Sequence, residues 1–113
     1  MCTLEKRIRD LIHFYVKENY NHHLRKHKIP TIQESDVSKV VNELYDQKKD
    51  HIQEFVKESL KIVLKDEMPE EYIINNLLSD IFRDDELCKN RLTIEIKMHQ
   101  QKITTGQVDY NKI

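Results

Sequence analysis

The sequence is short of the residues that build tight turns, phosphate-binding loops and membrane spans. It contains one glycine and two prolines in 113 residues, and alanine does not occur. A single glycine argues against glycine-rich phosphate loops and dinucleotide fingerprints, because both use several glycines to bring the backbone close to the ligand. No apolar run approaches the roughly 18 residues that a membrane span requires. We therefore expect a protein without these nucleotide-binding loops and without a membrane partner.

Cysteine is also scarce, and Cys2 and Cys88 stand far apart in no ligand-spacing motif. This usage indicates two incidental thiols in a reduced intracellular protein rather than a disulfide framework. The N-terminal segment carries Glu5, Asp10 and Glu18 and lacks the apolar core of a secretory signal. The expected location is the cytoplasm or the nucleus. Codons for Ala, Gly and Pro are GC-rich, so their shortage indicates an AT-rich source genome.

What the chain does contain is charge and amphipathic pattern. Hydrophobic residues make up 38% and charged residues 35%, and the formal net charge is −1. Long solvated helix faces produce this balance, whereas nucleic-acid binders are usually strongly basic. The length suits one domain. The prediction is a single helical domain over residues 1–106, followed by a flexible C-terminal tail over 107–113.

The organising stretch runs from Thr31 to Asp66 and contains neither Gly nor Pro. Its apolar residues recur at intervals of three and four, which is the period of an amphipathic helix. The stripe lapses at residues 46–50 and then resumes close to its old phase. The sequence therefore predicts an all-α four-helix bundle with one long central helix at about residues 34–66, possibly kinked near 46–50.

A continuous helix of that length has a consequence for assembly. It would be about 50 Å long, whereas a compact chain of this size is about 35 Å across. One half of its apolar stripe would then remain partly uncovered, and exposed apolar area of this size is usually covered by a partner. A twofold homodimer is the commonest solution. The candidate interface residues are Ile52, Phe55, Val56, Leu60 and Val63. A kink that folds the second half back would instead give a compact monomer.

Three further helices complete the expected bundle. The first covers residues 3–21 with Thr3 as its N-cap. The third begins at Pro69 and carries the most apolar segment, so we expect Leu77, Leu78, Ile81 and Phe82 to be buried. Asp84 or Asp85 would cap the fourth, which Gly106 would end. Residues 92–98 also alternate like a strand, and we favour the helix because one strand without a mate is unstable.

Charge is distributed unevenly along the chain. Residues 1–30 hold seven Lys and Arg against three Asp and Glu, whereas residues 34–86 hold seven against fifteen. The densest basic segment spans residues 22–28, and the candidate phosphate-contacting residues are Arg25, Lys26, Lys28, Arg7 and Arg9. The alternative interpretation is a helix C-terminus carrying cations, which the helix dipole favours there.

Metal and catalytic patterns are weak. His23 and His27 have the spacing of a shared metal on one helix face, but a structural zinc site usually needs four ligands, and the neighbouring cations would repel the ion. The acidic run Asp80, Asp84, Asp85 and Glu86 lacks the alternating oxygen ligands of a calcium loop, and helix capping explains it better. No nucleophile–base motif is present. We expect no metal, no cofactor and no enzyme activity.

The function predicted from the sequence is a non-catalytic helical interaction or assembly module with a protein partner, most simply a second copy in a homodimer. The alternative is a nucleic-acid-associated protein that uses the basic segment at residues 22–28. Salt dependence separates the two, since phosphate contacts weaken steeply with salt and apolar helix packing does not.

Overall fold

The computed structural model describes residues 3–83 and 85–112, except for the side chain of Lys112. Cys2, the alternative cap Asp84 and the last residue of the predicted tail lie outside the described residues. The described chain is all α-helical, which confirms the predicted fold class, and residues 92–98 are helix. The five α-helices are α1 (Leu4–Lys26), α2 (Glu34–Gln47), α3 (Lys49–Leu64), α4 (Glu71–Arg83) and α5 (Glu86–Thr104). Two 3₁₀ turns follow α3 and α5, at Lys65–Glu67 and Tyr110–Lys112.

The predicted central helix over residues 34–66 forms two helices instead of one, because it is interrupted at Lys48, inside the 46–50 window in which the sequence allows a kink. The described residues therefore form five α-helices where four were predicted. Lys48 has φ −97° and ψ 13°, outside the α-helical range, and it separates α2 from α3. The apolar stripe keeps its phase across this break. Val37, Val41, Ile52 and Val56 are all 0% exposed.

The expected overhang does not arise, since α1 covers both halves of the broken stretch. At 23 residues, α1 is about 34 Å long, and it packs against α2 and α3 in turn. The molecule is elongated, with a longest extent of 46 Å. The assumption of a compact shape about 35 Å across therefore misjudged how much of the stretch one chain can cover.

Helix α1 is longer at its C-terminal end than predicted and has a defined stop. Thr3 caps its start by accepting a hydrogen bond from the Lys6 amide. At its end, the Ile29 amide bonds to the Leu24 carbonyl and the Lys28 amide to the Arg25 carbonyl, which is a Schellman motif. Lys28 occupies the position that glycine usually fills, with φ 56°.

The last helix lies alongside the first and runs in the same direction. Side-chain contacts ascend together along the two helices, from Arg9–Asp85 through His13–Glu95 to Tyr20–Gln100. Helix α2 runs antiparallel to α5, because Gln100 meets Ile32 before α2 and Lys89 meets Asp46 near its end. This arrangement places α1, α2 and α5 around a shared core, with α3 and α4 extending it.

One buried cluster draws on every α-helix. The predicted burial of Leu78, Ile81 and Phe82 on α4 is confirmed, whereas Leu77 is only half-buried. The polar segment after Gly106 also takes part: the Tyr110 hydroxyl donates to the Leu24 carbonyl at 3.1 Å. The prediction of a frayed tail left out this contact.

Candidate functional site

Most of the interface predicted on the second half of the long stretch is buried inside the single chain. Ile52 and Val56 are 0% exposed and Leu60 is 1% exposed. They cannot meet a second molecule without unfolding of the core, so the predicted interface is wrong for these three residues. Phe55 is half-buried and Val63 is 59% exposed. These two are the part of the predicted interface that the structure leaves accessible.

An apolar surface runs along the junction of α1 and α3. The ring of Phe14, which is 55% exposed, stacks on Phe55 with centroids 6.2 Å apart. Towards the start of α1, Leu11 and Val63 line a cleft of about 180 Å³ that Arg7 borders. We refer to Leu11, Phe14, Phe55 and Val63 as the α1–α3 apolar surface.

A second exposed apolar face lies on the outer side of α5. Leu87, Ile94 and Met98 are 79%, 58% and 56% exposed. On a helix with 3.6 residues per turn they fall on one side, opposite the buried Leu92 and Ile96. Helix α5 thus carries apolar side chains on two opposite faces, of which the bundle covers one.

The basic segment forms the exposed end of α1. Arg25, Lys26 and Lys28 are exposed, and no ion pair joins any of them to another residue in ranges 3–83 and 85–112. The rings of His23 and His27 lie in contact at a tilt of 58°, with centroids 4.5 Å apart. Burial lowers the pKa of His23, and the neighbouring His27 lowers it further.

The structure does not bring the remaining basic candidates to this end. Arg7 and Arg9 belong to the opposite end of α1, about 24 Å or more from Arg25 at 1.5 Å per residue. Arg9 is also engaged, because its guanidinium donates to Asp85 at 2.6 Å and to Glu5 at 3.1 Å. Among the predicted candidates in the described part of the chain, Arg25, Lys26 and Lys28 therefore form one group, and Arg7 and Arg9 lie apart from it.

Asp85 is the one buried charged residue in the described part of the chain. Its side chain is 1% exposed and accepts hydrogen bonds from Arg9 at 2.6 Å, the Tyr45 hydroxyl at 2.8 Å and the Cys88 amide at 3.2 Å. Burial raises the pKa of Tyr45 above its usual range, and Asp85 raises it further. Burial, reinforced by Asp85, raises the pKa of the Cys88 thiol to about 12. The Tyr45 hydroxyl and the Cys88 thiol therefore stay protonated inside the core, which suits a structural role.

Gln100 forms a similar set of hydrogen bonds between helices at the opposite end of the bundle. It is 6% exposed. Its carbonyl accepts from the Tyr20 hydroxyl at 2.6 Å and the Ile32 amide at 2.7 Å, and its amide donates to the Ile32 carbonyl at 3.1 Å. A single side chain therefore fastens the connection between α1 and α2 to α5.

Between Asp85 and Gln100 along α5, Glu95 Oε2 lies 2.5 Å from His13 Nε2 on α1. The other ring nitrogen of His13 is buried without a hydrogen-bond partner. Burial works to raise the pKa of Glu95, but the hydrogen bond with His13 and the charges of Lys17 and Arg91 lower it overall. The pair is an interhelical contact, and within the described ranges no three His, Cys, Asp or Glu side chains converge as a metal site requires.

Sequence reasoning missed the part that Phe14 plays. Phe14 lies within the predicted first helix but is not among the predicted interface residues, and its side chain is 55% exposed. The available signal was its position: the buried residues of α1 recur every four positions from Ile8 to Leu24, and Phe14 lies about 80° beyond the nearest edge of that arc.

Within the described residues, no helix combines the length and the apolar character that spanning a bilayer requires. Comparisons with protein-family models, curated proteins and solved structures gave no match to this chain.

Proposed function

We propose that this protein is a non-catalytic helical assembly module that associates with a second copy of itself through the α1–α3 apolar surface. The observation that carries the proposal is the exposed Phe14–Phe55 stack beside the cleft lined by Leu11 and Val63. Apolar surface that is continuous across two helices marks an interaction site more often than scattered single residues do. A twofold dimer lets one such surface serve both chains.

The chemistry of the buried groups supports a non-catalytic role. The residues with the most strongly raised pKa values, Tyr20, Tyr45 and Cys88, are all buried in the core. Both tyrosine hydroxyls donate to side chains that tie helices together. Perturbed groups of a catalytic site would instead be expected to face a substrate cavity.

Sedimentation equilibrium at micromolar concentration tests the proposal. Wild type should form a species of twice 13.7 kDa, and Phe14→Asp should shift it to the monomer with helicity retained. Leu87→Asp is the matched control, because Leu87 is even more exposed but lies on α5. A 13.7 kDa species at every concentration, or a dimer that only the control variant disrupts, would overturn the proposal.

A second candidate function is nucleic-acid contact through Arg25, Lys26 and Lys28. Their exposure and their freedom from ion pairs within the described ranges favour it. If this contact occurs, wild type should shift a nucleic-acid probe in a gel at low salt, and Arg25→Glu with Lys26→Glu should abolish the shift. Lys39→Glu, an exposed change on α2, should leave it intact. Absence of any shift with wild type rules this candidate out.

A further inference from the structure

The outward side of α1 carries a stripe of four side chains that can pair with the same stripe on a second copy running in the opposite direction. Arg7, Leu11, Phe14 and Glu18 follow one another at intervals of four, three and four residues. On a helix with 3.6 residues per turn they lie within about 60° of each other. Arg7, Phe14 and Glu18 are exposed and Leu11 is half-buried. We call these four residues the α1 stripe.

Within the described residues, the two charged side chains at the ends of the α1 stripe form no ion pair. No ion pair joins Arg7 or Glu18 to another residue in ranges 3–83 and 85–112. Their neighbours differ in this respect, since Arg9 pairs with Glu5 and Asp85, and Lys6 with Asp10. One unpaired charge of each sign therefore flanks the apolar centre.

The positions of these residues fix one symmetric arrangement. The midpoint between Leu11 and Phe14 is also the midpoint between Arg7 and Glu18. A twofold axis that crosses α1 at this point would place Leu11 of each chain against Phe14 of the other. The same axis would place each Arg7 against the Glu18 of the other chain, so both unpaired charges gain partners.

We propose that two copies of this chain associate through antiparallel α1 helices, with the twofold axis between Leu11 and Phe14 and with reciprocal Arg7–Glu18 ion pairs. This inference rests on the proposed self-association and specifies its register. The antiparallel arrangement also keeps the two basic segments at residues 25–28 at opposite ends of the dimer, which limits the repulsion between them. A parallel arrangement would set like charges of the α1 stripe side by side.

Charge exchange tests the register. Arg7→Glu and Glu18→Arg should each weaken dimerisation about tenfold or more, because each places two pairs of like charges together. The double variant Arg7→Glu with Glu18→Arg should return the dissociation constant to near the wild-type value. Glu34→Arg makes the same charge change as Glu18→Arg in the cleft between α2 and α5, and it should have little effect.

Cross-linking gives an independent readout in a Cys2→Ser background. Mixed Arg7→Cys and Glu18→Cys chains should form a disulfide-linked heterodimer, while the remaining Arg7 and Glu18 still pair. Arg7→Cys alone should not cross-link, since its two copies would lie about 16 Å apart along the helices. Wild type that remains monomeric ends both the assembly proposal and this register. A dimer that withstands both single charge reversals and gives no mixed cross-link overturns the register alone and leaves the assembly proposal standing.

Discussion

Asp85 shows how much a single side chain contributes to this fold. Its carboxylate caps α5 and accepts hydrogen bonds from the Arg9 guanidinium on α1 and the Tyr45 hydroxyl on α2. Burial works to lower the pKa of Arg9, but the charges of Asp85 and Glu5 raise it overall, so Arg9 stays charged. Removal of the carboxylate would leave the buried Tyr45 hydroxyl and the Cys88 amide without an acceptor. Arg9 would lose its buried partner and keep only Glu5.

We therefore expect Asp85→Ala to lower the free energy of unfolding by about 2–4 kcal/mol, as the loss of one partner in a buried charged network does. The change can be measured by urea denaturation followed by circular dichroism. Asp80→Ala is the matched control, because Asp80 pairs with Arg83 at 3.6 Å on the exposed face of α4, where ion pairs contribute about 0–1 kcal/mol. Equal effects of the two substitutions would contradict the role given to Asp85.

At the scale of the element, α5 explains why residues 92–98 resembled both a helix and a strand. Leu92 and Ile96 face the core, whereas Ile94 and Met98 face outwards. Alternation at every second residue arose because one helix is apolar on two opposite sides. A pattern read from the sequence shows which residues are apolar and cannot show which of two such faces the bundle covers.

For a related reason, the sequence allows a kink at residues 46–50 but does not decide between a kinked and a straight helix. Tyr45 and Ile52 stand two helical turns apart and are both buried, so the stripe has the same phase before and after the break. Helix type, the apolar stripe over residues 31–66, most of the buried face of α4 and the Thr3 cap could be predicted, because they depend on local spacing and capping chemistry. The choice between a kinked and a straight helix, and the exposed α1–α3 apolar surface, could not be predicted, since they depend on how long α1 is and where its partners lie.

Among the described residues, three in helix-ending or turn positions have positive φ, and one of the three is glycine. Lys28 has φ 56° and Lys65 φ 51°, compared with φ 78° at Gly106. Lys65 also has ψ −118°, a combination that a Cβ atom disfavours more strongly. A backbone of this kind costs a non-glycine residue about 1–2 kcal/mol.

Lys28→Gly and Lys65→Gly should therefore each raise the free energy of unfolding by about 0.5–1 kcal/mol, after allowance for the greater freedom of glycine in the unfolded chain. Gly106→Ala should lower it by about 1 kcal/mol. An added Cβ there meets nothing within 4 Å, so this substitution measures the backbone term alone. Urea denaturation of the three variants checks the signs, and a destabilised Lys65→Gly would contradict the strain assigned to that turn.

At the scale of the whole molecule, His23, His99 and Glu95 each make the folded state less stable as the pH falls. Burial and the charges of Lys17 and Lys102 lower the pKa of His99, and burial with His27 lowers that of His23. A histidine with a lowered pKa binds its proton more readily in the unfolded chain. Below the ordinary value of 6.5, protonation therefore favours unfolding. Glu95, whose pKa is also lowered, adds to this loss below 4.5.

We expect the urea midpoint to fall steadily as the pH is lowered from about 7 to about 5, the range in which histidine titrates. His99→Gln should make this fall smaller, because one of the contributing groups is removed. His22→Gln is the control, since His22 is exposed. A midpoint that stays constant or rises on acidification would contradict the directions of the histidine pKa values.

The pairing of the first helix with the last has a consequence for how the chain is made. The partners of Arg9, His13 and Tyr20 on or at the start of α5 follow them by 76, 82 and 80 residues. At about 5–20 residues per second, a ribosome needs roughly 4–16 s to add them. During that interval the apolar side of α1 has emerged but lacks one of the neighbours that cover it. Nascent chains are therefore most open to chaperones, or to wrong pairing with each other, until α5 has been synthesised.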